Sequence, residues 1–429
     1  MSWYSGAAGQ SSVGNSKRPR LVPAKANRPS VRSGRQLKTV SCNVCSSEAA
    51  IELMVIRDQP VLCNMLTDDR SEALAFPRGD IRLGFCRDCG HVFNMAFRPE
   101  AIEYREGYEN SLFFSPRFQR YSTELANHLI ERYDLRGKVV VEIGSGTGEF
   151  LRSICEMGRN RGVGFDPSYR PTSNESDVVG SIEFIQDSFS ERYGGLKADL
   201  VCSRHVLEHI HNPIGFARML RESILGRSGS AIFYIEVPNG RFVISESSIW
   251  DIIYEHCSYF SSSSLRCLFQ RSGFDVLDTA EAFGGQFLRI EATPSESLEP
   301  IGAPSAEELR SFSVDAEDLA DEYESKVAIW RRRFDRFEAE GKRVAVWGAG
   351  SKGVTFLNTL KPTEDSALVV DINPRKVGKY IPGTGHVVMS PESLQNRKPA
   401  IVIVMNRIYG NEIGKSLRDQ GIRAEILFA

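Results

Sequence analysis

Two apolar runs in this chain end in glycine-rich turns, about two hundred residues apart. The first reads Val139-Val140-Val141-Glu142-Ile143-Gly144-Ser145-Gly146-Thr147-Gly148, and the second Val344-Ala345-Val346-Trp347-Gly348-Ala349-Gly350-Ser351-Lys352-Gly353. A short β-branched run closed by glycines and followed by a helical pattern is how a buried parallel strand hands over to a helix. The N-terminus of that helix can hold an anion or a ribose. With 429 residues, the chain has room for two such α/β domains and a smaller module.

The smaller module is written in cysteines. Cys42-Asn43-Val44-Cys45 and Cys86-Arg87-Asp88-Cys89 are two C-x-x-C pairs, and two such pairs complete a tetrahedron of sulfurs at ~2.3 Å from a zinc ion. Four thiolates leave no open position, so one structural zinc is expected, with the roughly forty intervening residues forming a small subdomain. Cys63 lies between the pairs and is expected to be buried. Nine cysteines at irregular spacing, in a chain without the apolar core of an export signal, do not predict disulfides.

Glu142-x-Gly144-x-Gly146-x-Gly148 differs from the dinucleotide fingerprint G-x-G-x-x-G and resembles motif I of the class I S-adenosylmethionine-dependent methyltransferases. Its glycines let the backbone approach a ligand closely, and Glu142 can orient the turn or meet the methionine ammonium. Short strands are predicted at Gly162–Asp166, Ile182–Ser188, Ala198–His205 and Ala231–Val237. Asp166 closes the first and can accept ribose hydroxyls; Asp187, with Ser188 beside it, is placed for the adenine amino group. This alternation predicts a doubly wound sheet with the donor at its carboxyl edge. Next comes His205-Val206-Leu207-Glu208-His209-Ile210-His211. His205 and His209 stand at i and i+4, so a metal pair is conceivable. The strand-end His205 has the better claim to the site, and His209 and His211 read as packing residues.

After the last of these strands comes Trp250-Asp251-Ile252-Ile253-Tyr254-Glu255-His256-Cys257-Ser258-Tyr259-Phe260-Ser261. It holds an acid/base set. His256 titrates near neutrality, Glu255 can orient it, and Tyr254 can donate to a developing oxyanion.

The cysteine pairs, the E-x-G-x-G-x-G domain, the Glu-His-x-x-Tyr-Phe-Ser loop and the Gly-Ala-Gly-Ser-Lys-Gly turn occur in one order. In that order they resemble the zinc-containing C-methyltransferases of nucleotide-deoxysugar biosynthesis over residues ~40–429. The resemblance implies that S-adenosylmethionine and a nucleotide-linked 4-keto sugar meet between the middle and C-terminal domains. A base removes the proton alpha to the ketone, and the enolate takes the methyl group. It implies His256 as the base with Glu255 beside it and Tyr108 as the tyrosine that reaches the sugar; a tyrosine or His205 is expected to stabilise the enolate. The loop here is one residue shorter than the family's Tyr-His-Glu-His, which leaves N- or O-methylation of a related acceptor as the alternative.

The second turn, taken alone, is a G-x-G-x-x-G with Asp371 following its next strand, which would suggest NAD. Residues 341–429 allow only a short half-fold, however, and Lys352 suits a pyrophosphate better than a nicotinamide. The resemblance implies a lobe that closes over the acceptor, with Gly348, Gly350, Ser351, Lys352 and Gly353 at its phosphates.

The expected organisation is a basic, disordered tail (1–40), a zinc module (41–104), a methyltransferase domain (105–294), connecting helices (295–340) and a smaller Rossmann-like domain (341–429). The formal charge is −2, but residues 1–40 carry eight basic residues and no acid, so the rest stands at −10. That acidic body argues against a nucleic-acid surface, and hence against a ribosomal-RNA methyltransferase. No apolar run approaches the ~20 residues that span a bilayer. A cytoplasmic enzyme of small molecules is expected, with a catalytically silent donor-binding scaffold as the non-enzyme reading.

Overall fold

The computed structural model describes residues 40–104, 107–170, 182–226, 231–295 and 305–429. The expectation of a disordered basic tail falls outside the described residues.

Val139–Ile143 is an interior strand, next to the middle one, of a seven-stranded sheet. It pairs in parallel with Arg161–Phe165 on one side and Leu200–Arg204 on the other. Ile182–Ile185 and Ile232–Pro238 extend the parallel run outward. Phe287–Pro294 and Phe274–Ala282 complete one edge, with antiparallel pairing at Phe287–Pro294. Successive residues of Val139–Ile143 face opposite layers. Val140 packs with Leu125, Leu129 and Ile154 of the helices Pro116–Tyr133 and Glu149–Gly158. Val141 packs with Leu220 of Pro213–Ser223 and with Leu265 and Leu268 of Ser262–Arg271. Strand order reverses between Val139–Ile143 and Leu200–Arg204, and a crevice opens at the carboxyl ends of a sheet at such a point.

The C-terminal lobe repeats the device. Five parallel strands run in the order Val388–Met389, Ala367–Val370, Val344–Trp347, Ile401–Val404, Glu425–Phe428. The order reverses beside Val344–Trp347, so the second glycine turn also sits at a switch point. The lobe is a complete small sheet, larger than the half-fold expected from its length.

The cysteine-bearing module is an antiparallel sheet of Ala50–Pro60, Arg78–Cys86 and Val92–Asn94, and its fourth strand comes from far along the chain. Ser258–Tyr259 pairs with Phe93 and Val92. The module is thus completed by the His256 loop.

Where several connecting helices were expected, the described part of that stretch is one helix, Ala306–Ala339. Its buried residues Phe312, Ala316, Leu319, Tyr323, Val327, Trp330 and Phe337 recur at steps of three, four or seven positions, the spacing of one helical face. Phe312 meets Phe85 of the module edge-on at 5.4 Å between ring centres, and Trp330 meets Phe356 of the lobe at 5.3 Å. Module, helix and lobe share one apolar core. Among the described residues no helix is long and apolar enough to cross a membrane.

Candidate active site

Cys42, Cys45, Cys86 and Cys89 come together as expected. Cys42 Sγ lies 3.7 Å from Cys89 Sγ and Cys45 Sγ 3.5 Å from Cys86 Sγ, and all four sulfurs fall within 4.8 Å of one another. A tetrahedron with ~2.3 Å metal–sulfur bonds has edges of about 3.8 Å, so the set fits one such ion. The knuckle is tied to the His256 loop: Ser261 Oγ donates to the Gly90 carbonyl at 3.1 Å.

A cavity of about 930 Å³ opens between the two glycine turns and is lined by both. On the donor side Glu142, Gly144, Ser145, Gly146 and Thr147 face it. Gly146 has φ +55°, and a Cβ added there would meet no atom within 4 Å, so the space beside it is open to a ligand. Gly148 lies behind the turn as the N-cap of Glu149–Gly158. Asp166 anchors the turn. Its Oδ2 accepts from the Gly146 N–H at 2.8 Å, and its Oδ1 accepts from the Ser168 N–H and hydroxyl at 2.8 and 2.6 Å.

The second turn is anchored the same way. Asp371 Oδ2 accepts from the Ala349 N–H at 2.7 Å and Oδ1 from the Asn373 N–H at 2.8 Å. Asp187 departs from its expected place. Its carboxylate takes the Tyr193 hydroxyl at 2.6 Å and pairs with Arg192, and neither Asp187 nor Ser188 lines the cavity. The strand Ile182–Ile185 stops two residues short of Asp187, and the turn that follows points it sideways.

Buried charge gathers at the carboxyl ends of the strands. Burial pushes the Glu142 carboxyl up to about 7, against the pull of Arg204, whose Nε lies 3.7 Å away. His205 sits just past its strand with φ +57°. Burial works against its charge, yet the carboxylates of Glu208 and Glu236, at 3.6 and 3.4 Å, outweigh it and raise the imidazole to about 9. His205 is therefore a cation at neutral pH, a hydrogen-bond donor and not a base. His256 is its opposite. Burial, reinforced by the positive charges of His205 and Lys352, holds it well below the usual imidazole range, so it is neutral and basic in form. Both histidines line the cavity.

Two expectations for the loop need correction. Glu255 does not orient His256. Its buried carboxylate accepts from the Cys63 backbone N–H at 2.8 Å and from the Tyr108 hydroxyl at 2.7 Å. Tyr254 does not reach the cavity. It is 1% exposed, its ring packs on Phe97, and its hydroxyl accepts from the Arg98 N–H at 3.1 Å. The loop runs between module and donor sheet, so its side chains serve both, and Tyr254 falls on the module side. Tyr108 does line the cavity, but its single hydrogen goes to Glu255, which leaves its oxygen as an acceptor.

His209, read as a packing residue, also lines the cavity. Its Nδ1 lies 3.1 Å from the Glu255 carbonyl and 2.7 Å from the Tyr104 hydroxyl. With Nδ1 held by these two oxygens, Nε2 is the nitrogen left toward Glu208 Oε1, at 4.0 Å. The spacing His205-x-x-x-His209 was the signal, but it gave no face.

In the lobe, Gly348, Gly350, Ser351, Lys352 and Gly353 all line the cavity. Gly353 is required: a Cβ there would stand 1.9 Å from the Gly348 carbonyl oxygen. Lys352 is already paired with Asp251. The sequence reading missed Lys376, which is 5% exposed, lines the same space and donates to the Ala349 carbonyl at 3.2 Å. Nothing in Asn373-Pro374-Arg375-Lys376 beyond a turn pattern marks it. Donor domain and lobe also touch directly, through Gln286 with Asn406 at 3.0 and 2.9 Å and Glu412 with the Arg117 N–H at 2.6 Å.

Residues 117–279 match the family described as a methyltransferase domain, and residues 293–424 the C-methyltransferase C-terminal domain. Among curated proteins, the C-methyltransferase NovU of Streptomyces niveus is 28% identical over 396 residues, 87% of this chain and 90% of that protein. The mitochondrial ubiquinone biosynthesis O-methyltransferase of Dictyostelium discoideum is 26% identical over 148 residues, 31% of this chain and 45% of that protein. Among solved structures, magnesium protoporphyrin IX methyltransferase from Synechocystis PCC 6803 with bound SAH is 17% identical, with a TM-score of 0.34 over 42% of this chain and 84% of that one.

Proposed function

We propose that this chain, an S-adenosylmethionine-dependent methyltransferase, places its methyl group on the carbon alpha to the ketone of a nucleotide-linked 4-keto-deoxysugar. The observation that carries this reading is that His256 and His205 line one cavity between two glycine turns, with the Glu208 and Glu236 carboxylates facing His205 at 3.6 and 3.4 Å. Oxygen or nitrogen methylation needs a base but no separate oxyanion partner. Enolate formation needs both, because a carbon acid beside a ketone ionises near neutrality only when the developing oxyanion is met by a placed donor. The similarity to a C-methyltransferase along nearly the whole chain supports the same reading.

His256 takes the alpha proton on its free lone pair. His205 donates to the ketone oxygen as charge develops there, and Glu208 and Glu236 keep it protonated for that role. Glu142 and the Gly144–Thr147 backbone hold the donor. Bound S-adenosylmethionine would supply the electrophilic methyl group. The lobe's glycine turn, with Lys352 and Lys376, holds the acceptor's phosphates, since a helix N-terminus beside lysines favours anions. Cys42, Cys45, Cys86 and Cys89 would hold one zinc ion, whose part is to fix the knuckle on which the His256 loop rests.

The test is isotopic. Wild-type enzyme given a 4-keto nucleotide sugar in deuterated water should exchange the alpha hydrogen. His256→Ala should lose exchange and methyl transfer while still binding S-adenosylmethionine. A methyl group found on oxygen or nitrogen, or normal exchange by the variant, would overturn the reading.

A further inference from the structure

We propose that Glu208, His209 and His256 form a second divalent-metal site, separate from the four cysteines, and that its occupation switches the enzyme off. One donor atom from each of the three lies within 4.8 Å of the other two. Metal–nitrogen and metal–oxygen bonds of ~2.0–2.2 Å set tetrahedral ligands about 3.3–3.6 Å from each other. Seating an ion would therefore draw the donors together by about half an ångström to an ångström and a half, within the reach of side-chain rotation.

The donors are ready for one. Buried Glu208 faces His205 at 3.6 Å, beyond hydrogen-bond reach, and neither of its carboxylate oxygens has a hydrogen-bond partner among the described residues; the buried Nδ1 of His256 has none either. His209 is fixed from behind by the Glu255 carbonyl and Tyr104, with Nε2 4.0 Å from Glu208 Oε1. A histidine held through its other nitrogen by a carbonyl is the usual support of a metal ligand. Two imidazoles and one carboxylate suit zinc, cobalt or ferrous iron and not magnesium or calcium, and the remaining coordination positions would face the cavity.

The inhibitory consequence rests on the role proposed for His256. A neutral imidazole has one lone pair. Whichever nitrogen bears it, a bond to the metal uses the electrons that would accept the alpha proton. No oxidant or further reactant is involved, and removal of the ion restores the base.

The experiment starts from protein holding one zinc per chain by elemental analysis. Calorimetric titration with Zn²⁺ should show a second, weaker equivalent. A mild chelator should remove it while the first remains, and methyl transfer should fall and recover in step. Glu208→Gln and His209→Asn, checked for folding by circular dichroism, should each weaken the second equivalent by about a hundredfold and keep the first. Absence of a second equivalent in wild type, or its persistence in both variants, would overturn the site. Since this arm needs no acceptor, it stands apart from any failure of the sugar assignment. A second equivalent that leaves methyl transfer unchanged, or raises it, would overturn the inhibitory role.

Discussion

Tyr108 gives its hydroxyl hydrogen to Glu255 Oε2 at 2.7 Å, across 147 residues of sequence. The other oxygen of that carboxylate holds the Cys63 N–H. Burial raises the pKa of both side chains, so the pair depends on this contact to stay satisfied. Tyr108→Phe should cost about 1–3 kcal/mol of stability by leaving a buried acceptor unpaired. It should also lower kcat, because Glu255 borders His256. Denaturant unfolding beside steady-state kinetics checks this; a variant as stable and as active as wild type would show that the pair is idle.

The knuckle should control the loop. Ser258–Tyr259 pairs with Val92–Phe93, and Ser261 bonds to Gly90. Stripping the metal, or making Cys86→Ser, should raise amide exchange in residues 254–261 and reduce kcat about tenfold or more. Donor affinity should change little. Full activity in metal-free protein would remove the structural role.

At the donor turn, Asp166→Ala removes the acceptor that holds the Gly146 N–H, and Gly146→Val puts a branched side chain at φ +55° into open cavity space. Each should weaken S-adenosylmethionine binding by about a hundredfold, roughly 3 kcal/mol. Calorimetry giving wild-type affinity in both would move the donor elsewhere.

The two lysines of the lobe should differ. Lys352 is neutralised by Asp251, whereas among the described residues the Lys376 ammonium donates only to the Ala349 carbonyl. Lys376→Met should weaken binding of a nucleoside diphosphate by about 1.5–3 kcal/mol, more than Lys352→Met does. Equal losses, or none, in competition binding with a nucleoside diphosphate would contradict this.

His205 carries a pH signature. Its folded pKa of about 9 lies above the unfolded value of 6.5. Its contribution to stability is therefore complete below pH 6.5 and lost as pH rises through 9, and it amounts to about 3 kcal/mol at most. The stability gap between wild type and His205→Asn should narrow across that window. A gap that stays constant from pH 6 to 9.5 would mean that the two carboxylates do not hold the charge.

Local pattern carried the reading a long way. The two cysteine pairs, the strands Val139–Ile143 and Val344–Trp347, and the glycines at their ends are set by neighbours in sequence, and all were legible. What was not legible depends on distant partners. Glu255 faces away from His256 because Tyr108 and the Cys63 N–H are on its other side. Tyr254 is drawn into the module by Phe97, and Asp187 is drawn sideways by Tyr193. His209 shows its place only once the Glu255 carbonyl and the Tyr104 hydroxyl hold its ring. No spacing rule holds such information, because each partner arrives from another part of the fold.

The helix Ala306–Ala339 spans ~50 Å, and its apolar face reaches from Phe85 of the module to Phe356 of the lobe. Deletion would expose what that reach covers. A chain ended at residue 295 would keep all seven donor strands, yet Phe85, Trp250 and the rest of the shared core would be left wet. Such a fragment should aggregate, so a minimal methyltransferase cannot be trimmed from this scaffold. Anyone shortening it would have to redesign the uncovered face as a new exterior.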